Sequence, residues 1–167
     1  SEVDPKVTSR SGHDIRGLVG ARDGRERLTV DRHDGLLGPL GRLGDDEATA
    51  DALCVRVHGF ARGAELRHAI DKGRARVVVR DGRITGYTTG ISYFTHSVAE
   101  TTDDLQALIA ASEAIDPPGI IVPLSDPELF RWCLAQGLRV FFVMKLVSMG
   151  IYQQPRGAYL PSIEVDV

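Results

Sequence analysis

The chain has 167 residues, of which 43% are hydrophobic and 26% charged, and a formal net charge of -3. That is enough for one globular domain with a buried core, and the charge leaves no footprint for nucleic acid or an anionic membrane. No apolar run approaches the roughly 20 residues of a membrane span, no signal-like stretch opens the sequence, and Cys54 and Cys133 lack metal-ligand spacing, so the expectation is a cytoplasmic protein with free thiols, no metal, no nucleic acid and no membrane partner.

Residues 1–44 differ from the rest. They hold eight of the eighteen glycines and no Phe, Tyr or Trp. Glycine at that density interrupts any long helix, and the apolar content is thin against the entropy of ordering. A weakly ordered or remnant arm is expected here, with Arg27–Val30 as one short strand and Leu36–Leu40 as an apolar patch. Its seven acidic and eight basic residues nearly cancel, which argues against an Arg/Gly-rich nucleic-acid arm.

From residue 45 the pattern is that of a folded domain, over 45–167. Ala50, Leu53, Cys54 and Val57 lie at helical spacing behind Asp45 and Asp46. A second short helix follows over Gly63–Lys72, with Gly73 as its stop. His58 and His68 sit on different segments and read as surface or capping residues rather than ligands. Val77, Val78 and Val79 make a β-branched strand, and Asp81-Gly82 turns it into a second extended run, Ile84–Phe94. Gly86 and Gly90 in that run mark a bulge or a place of close approach.

A helix is expected from Thr101 to about Ala114, capped by Thr101 or Thr102 with Asp103 and Asp104 in its first turn. By reaching back to an early N–H, Asp104 would complete a capping arrangement. Ile120–Val122 reads as a brief strand. Ser125-Asp126-Pro127-Glu128 starts another helix, which Gly137 ends. Arg139–Tyr152 is a long apolar strand, and Tyr159–Val165 a last one. Strands followed by helices give an α/β (α+β) three-layer domain with a mixed, mostly antiparallel sheet flanked by helices.

This order, with the stretches LCVRVHGF, ARVVVRDGRITGYTTG, SVAETTDDLQALI, PELFRWCLAQGLRV and VSMGIYQQPRGAYLPSI, resembles the general-control-related N-acetyltransferase (GNAT) superfamily. The likeness is to the C-terminal domain of bacterial tandem-GNAT proteins and spans about residues 46–167. It implies a GNAT-like fold, acetyl-CoA as cofactor and a small amine as acyl acceptor. Residues 1–44 would stand where such a protein finishes a first, partner domain.

The resemblance also implies a site. Its diphosphate loop maps onto His96–Thr101, with Val98, Ala99, Thr101 and Thr102 as the cofactor-binding positions. A phosphate cradle needs bare backbone N–H groups at a helix start. Here the glycine positions carry Ala99 and Thr101, and Glu100, Asp103 and Asp104 crowd the place of the phosphates. Cys133 stands at the position of the superfamily's general acid, and Glu100 is the candidate base among Glu65, Glu100 and Glu113. Tyr93, Tyr152 and Tyr159 are the candidate substrate contacts, the last two beside Gln153, Gln154 and Arg156; a plain connecting loop is the structural alternative. Two functions follow: an acetyl-CoA-dependent N-acyltransferase with a degenerate loop, or a non-catalytic GNAT-like module for association or ligand binding. For the second, an exposed Val140–Met144 strand would pair with another copy as a homodimer.

Overall fold

Asp81 and Gly82 close the central hairpin with φ angles of 52° and 73°, a turn whose twist matches that of the strands it joins. The computed structural model describes residues 36–39 and 44–163, and the hairpin links β2 (Arg76–Arg80) to β3 (Arg83–Thr88). Pairing steps from Val79↔Ile84 to Val78↔Gly86, so Thr85 is an extra residue and β3 bulges beside the glycine. Gly86 also admits β4 (Ser97–Ala99): a Cβ there would stand 3.2 Å from that of Ala99. Both expectations for this glycine, bulge and close approach, are met.

Five strands form one sheet in the order β1–β2–β3–β4–β5, with β1 at Leu36–Pro39 and β5 at Ala158–Leu160. All four pairings are antiparallel. The period of two along each strand sends neighbours to opposite faces. On one face, Val77, Ile84, Tyr87 and Val98 pack against Leu53, Cys54, Val57 and Leu66 of α1 (Gly44–His58) and α2 (Gly63–Asp71). On the other, Val78, Ala99, Ala158 and Leu160 pack against Leu105, Leu108, Leu129 and Cys133 of α3 (Thr102–Ala110) and α4 (Pro127–Ala135). Ile84 and Tyr87 share a face despite their odd spacing because the bulge at Thr85 shifts the alternation. The fold is α+β, with helices on both faces of an antiparallel sheet.

The structure departs from the sequence reading in several elements. Leu36–Pro39, assigned to the arm, pairs with β2 and so belongs to the sheet. Arg27–Val30 and residues 164–167 lie outside the described residues. The second hairpin strand stops at Thr88 instead of Phe94, because hydroxyls take over the backbone bonds a ladder would use. The Thr88 hydroxyl accepts from Gly90 N–H, and the Thr95 hydroxyl accepts from Ser92 N–H and donates to Gly90 C=O. The helix after β4 ends at Ala110, with Ala111 as its C-cap. Neither Ile120–Val122 nor Arg139–Tyr152 joins a ladder among the described residues. The edge of β4 opposite β3 is taken by β5.

That last pairing depends on Gly157. A Cβ at this position would meet the Ala99 carbonyl oxygen at 2.7 Å and the Val57 methyls at 3.2 and 3.3 Å. Backbone cannot yield as a flexible side chain would, so Gly157→Ala is expected to destabilise the protein by about 1–3 kcal/mol. Urea unfolding measures this, and a change below about 0.5 kcal/mol, the level of an ordinary surface substitution, would show that the β4–β5 approach is not a constraint.

Candidate functional site

The junction of β4 with α3 is where the sequence resemblance places a cofactor. Thr101 is the N-cap of α3, its hydroxyl accepting the Asp104 N–H at 3.2 Å and its carbonyl the Leu105 N–H. The Thr102 hydroxyl donates to Asp126 at 2.9 Å, and the other oxygen of Asp126 caps α4 through Leu129 N–H. One carboxylate therefore serves the starts of two helices, complementing both positive ends. Asp104 does not turn back to cap its own helix. It is buried and pairs with Arg80 of β2. With Asp103 exposed nearby, three carboxylates surround this helix start. The residues present do not fit a CoA diphosphate, which needs bare N–H groups and no competing anion.

Glu100, the candidate base, is gripped by both guanidinium nitrogens of Arg83, one at 2.8 Å, and by Arg56 at 3.2 Å. The Arg83 hydrogen bond foremost, then Arg56, holds its carboxyl below the usual range. Such a carboxylate is a poor proton acceptor; it ties α1 to the start of β3. Cys133, the candidate acid, is buried in the α3–α4 core. Burial, aided by Asp126, pushes its thiol up to about 11, which makes it a weaker acid than a free thiol. Val98 and Ala99 are core residues on opposite faces of β4.

A different set of groups does converge, on the α1–α2 face of the sheet. His96, fully buried, lies 2.8 Å from Glu65 through Nδ1 and 2.8 Å from the Tyr87 hydroxyl through Nε2. Since a carboxylate only accepts, Nδ1–H donates to Glu65, and in the neutral ring Nε2 accepts from Tyr87. The Tyr87 ring and Cys54 share the core on this face of the sheet. Burial raises both Tyr87 and Cys54 above their ordinary values, so both stay protonated at neutral pH. Arg62 holds the remaining Glu65 oxygen at 2.8 Å and reaches Ser162 at 2.9 Å. Burial alone would raise Glu65, but the bonds and charges of His96 and Arg62 outweigh it and its carboxyl is lowered. The result is a buried chain from Tyr87 through His96 to a partly exposed carboxylate, suited to moving or holding a proton.

Beside this chain lies His58, buried rather than at the surface as its sequence context suggests. Its ring meets Tyr159 edge-on at 5.1 Å and Phe60 at 5.7 Å, and its Nε2 has no hydrogen-bond partner among the described residues. Burial foremost, with Tyr152 nearby, raises the Tyr159 hydroxyl above its ordinary value. Two of the three candidate substrate tyrosines thus come together. Tyr93 makes other contacts: its hydroxyl donates to Met144 Sδ at 3.6 Å, its ring meets Phe94, and its carbonyl takes Ile163 N–H.

Sequence reasoning missed the chain through His96 because its members come from separate elements with no common spacing. Glu65 was available as a base but passed over for Glu100, and His96 read only as the first residue of a loop. The sole signal was a histidine leading directly into the apolar strand Ser97–Ala99. No group of three or more His, Cys, Asp or Glu residues suited to a metal ion occurs among the described residues, nor a helix long and apolar enough to cross a membrane. Comparisons with protein-family models, with curated proteins and with solved structures find no match for this chain.

Burial keeps His58 neutral down to about pH 4, with the charges of Arg62 and His96 adding to the effect, whereas its ordinary value is 6.5. Between those values the unfolded chain binds more protons than the folded one, so stability falls as pH drops from 6.5 toward 4. The loss should reach about 2 kcal/mol by pH 5; Glu65, lowered from 4.5, adds its own loss only below that. Urea unfolding at pH 7 and pH 5 checks this. His58→Phe, which keeps the ring contacts, should lose distinctly less than the wild type, and an equal loss would place the acid sensitivity elsewhere.

Proposed function

We propose that this chain is a GNAT-like domain that does not itself transfer acetyl groups from CoA, and that acts as a non-catalytic module for association or ligand binding. The observation that carries this reading is the start of α3, where Thr101 caps the helix and Asp103, Asp104 and Asp126 supply the negative charge. A diphosphate would add two more charges beside Asp103 and Asp126, with Asp104 already paired to Arg80, so the helix dipole's contribution of roughly 0.3–1 kcal/mol per charge is offset. The expected result is no saturable heat on titrating acetyl-CoA to millimolar levels, and no change in melting temperature. A ligand at 100 times its dissociation constant adds about 2.7 kcal/mol, a shift of several degrees for a domain of this size. Saturable binding with a shift of that order would overturn the module reading.

One arrangement favours the other reading, an acetyl-CoA-dependent N-acyltransferase acting on a small amine. Glu65 and His96 form an oriented acid–base pair, the equipment needed to deprotonate an attacking ammonium group. If the domain is an enzyme, His96 rather than Glu100 is the base. Release of CoA thiol with a panel of small amines tests it: turnover that Glu65→Gln lowers by 100-fold or more, with folding retained, would put this reading first. The module reading expects no turnover in either protein.

A further inference from the structure

His58 ends α1, and the C-terminal part of the chain docks on its two neighbours. The Val57 carbonyl takes the Arg156 N–H at 2.8 Å, and Gly157 packs on the Val57 methyls. Gln153 lies over Gly59, so close that a Cβ there would meet its amide at 2.9 to 3.0 Å. Between these contacts the His58 ring meets Tyr159 of β5 and also Phe60. β5 therefore straddles the sheet. Ala158 and Leu160 enter the α3–α4 core, while Tyr159 meets the end of α1. Beyond β5 the chain is anchored again, with Ser162 bonded to Arg62 and Ile163 to the Tyr93 carbonyl.

This joint has no place for a charge. His58 is 9% exposed and its Nε2 has no partner among the described residues, so an imidazolium would bury an N–H without an acceptor. The titratable groups around it give no relief. Arg62 at the start of α2 and His96 ahead of β4 both oppose a positive charge, and Glu65 of α2 is already held by the two of them. Tyr159, with Tyr152 nearby, is kept protonated by burial, Arg156 adds a cation to the docking loop, and Arg56 on α1 itself is turned to Glu100. A proton on His58 must be met by water, so one side of the joint has to move. The end of α1 is fixed by Leu53, Cys54 and Val57 in the core. Phe60 is 54% exposed, but the Arg62 guanidinium lies over its ring at 5.9 Å, and withdrawing the ring sets one cation against another. The weaker side is β5, an edge strand of three residues. Residues 139–154 before it make no backbone hydrogen bond among the described residues.

We propose that His58 is an acid-sensitive latch, whose protonation releases residues 152–160 so that β5 leaves β4 while the rest of the sheet stays paired. Opening bares the Ser97–Ala99 edge and the core sites of Ala158 and Leu160, a surface the closed form hides. The latch goes beyond both functional readings above and works the same way under either.

Amide hydrogen exchange of the full chain at pH 7 and pH 5, corrected for the intrinsic exchange rate at each pH, tests it. His58 titrates at about 4 when closed in and at 6.5 when free, so the opening equilibrium read at Ala158–Leu160 should rise about twentyfold between the two. At both pH values these amides should open more readily than those of Val77–Val79, the mark of a local event. His58→Phe keeps a ring in the slot and should remove the rise, as should His58→Gln, a neutral side chain without the ring. In the wild type, the ring resonances of His58 and Tyr159 should shift together with one midpoint below 6.5. A β5 that opens only along with Val77–Val79 overturns the latch. So does a rise that both His58 variants keep, or a His58 ring that charges while β5 stays closed.

Discussion

Ala99 is held between two glycines, and most of the architecture follows from that. On one side Gly86 lets β3 approach until a Cβ would stand 3.2 Å away; on the other Gly157 packs against the Ala99 carbonyl, leaving only 2.7 Å for a side chain. Any larger residue at either glycine would push a strand out. With both small, β4 is gripped over its three residues by β3 and β5, and the sheet continues without a gap. Ala99 also fixes where the chain leaves the sheet. Glu100 donates its N–H to the Thr85 carbonyl at 2.8 Å, so the bulge on β3 and the start of α3 are one piece of backbone geometry.

Polar groups then tie the two helical layers to this sheet. On one face Glu65 of α2 reaches His96, which bonds Tyr87 of β3. On the other Asp104 of α3 takes Arg80 of β2. Each buried polar group has a partner that offsets its desolvation, and removing one member would leave the other stranded at a cost of a few kcal/mol. His58 Nε2 and the Thr85 hydroxyl, on the bulge, are the exceptions among the described residues; for His58 the reason is plain. Its unpartnered nitrogen is tolerated because the ring stays neutral among Phe60 and Tyr159.

What the sequence disclosed was what local chemistry decides. Asp81-Gly82 specified its turn because few residues accept two positive φ angles in succession. Thr101 and Asp126-Pro127 specified helix starts because a cap acts on the next three residues. The long-range choices were not visible. Arg139–Tyr152 has the composition of a strand, but whether a run pairs depends on a partner edge elsewhere in the chain, and the edge of β4 is held by Ala158–Leu160. The same limit hid the His96 chain. Glu65 and His96 are thirty-one residues apart, and nothing in either neighbourhood points to the other.

Two features of the C-terminal part stand side by side. The short β5 pairs with β4, while the longer, more apolar run Arg139–Tyr152 joins no ladder among the described residues. β4 ends at Ala99, and at the helix start that follows Thr101 takes the Asp104 N–H, Asp126 takes the Thr102 hydroxyl and Asp104 pairs with Arg80. The acceptors at this helix start are thus supplied by the chain's own side chains, which leaves its first turn little of the bare N–H surface that a phosphate cradle uses.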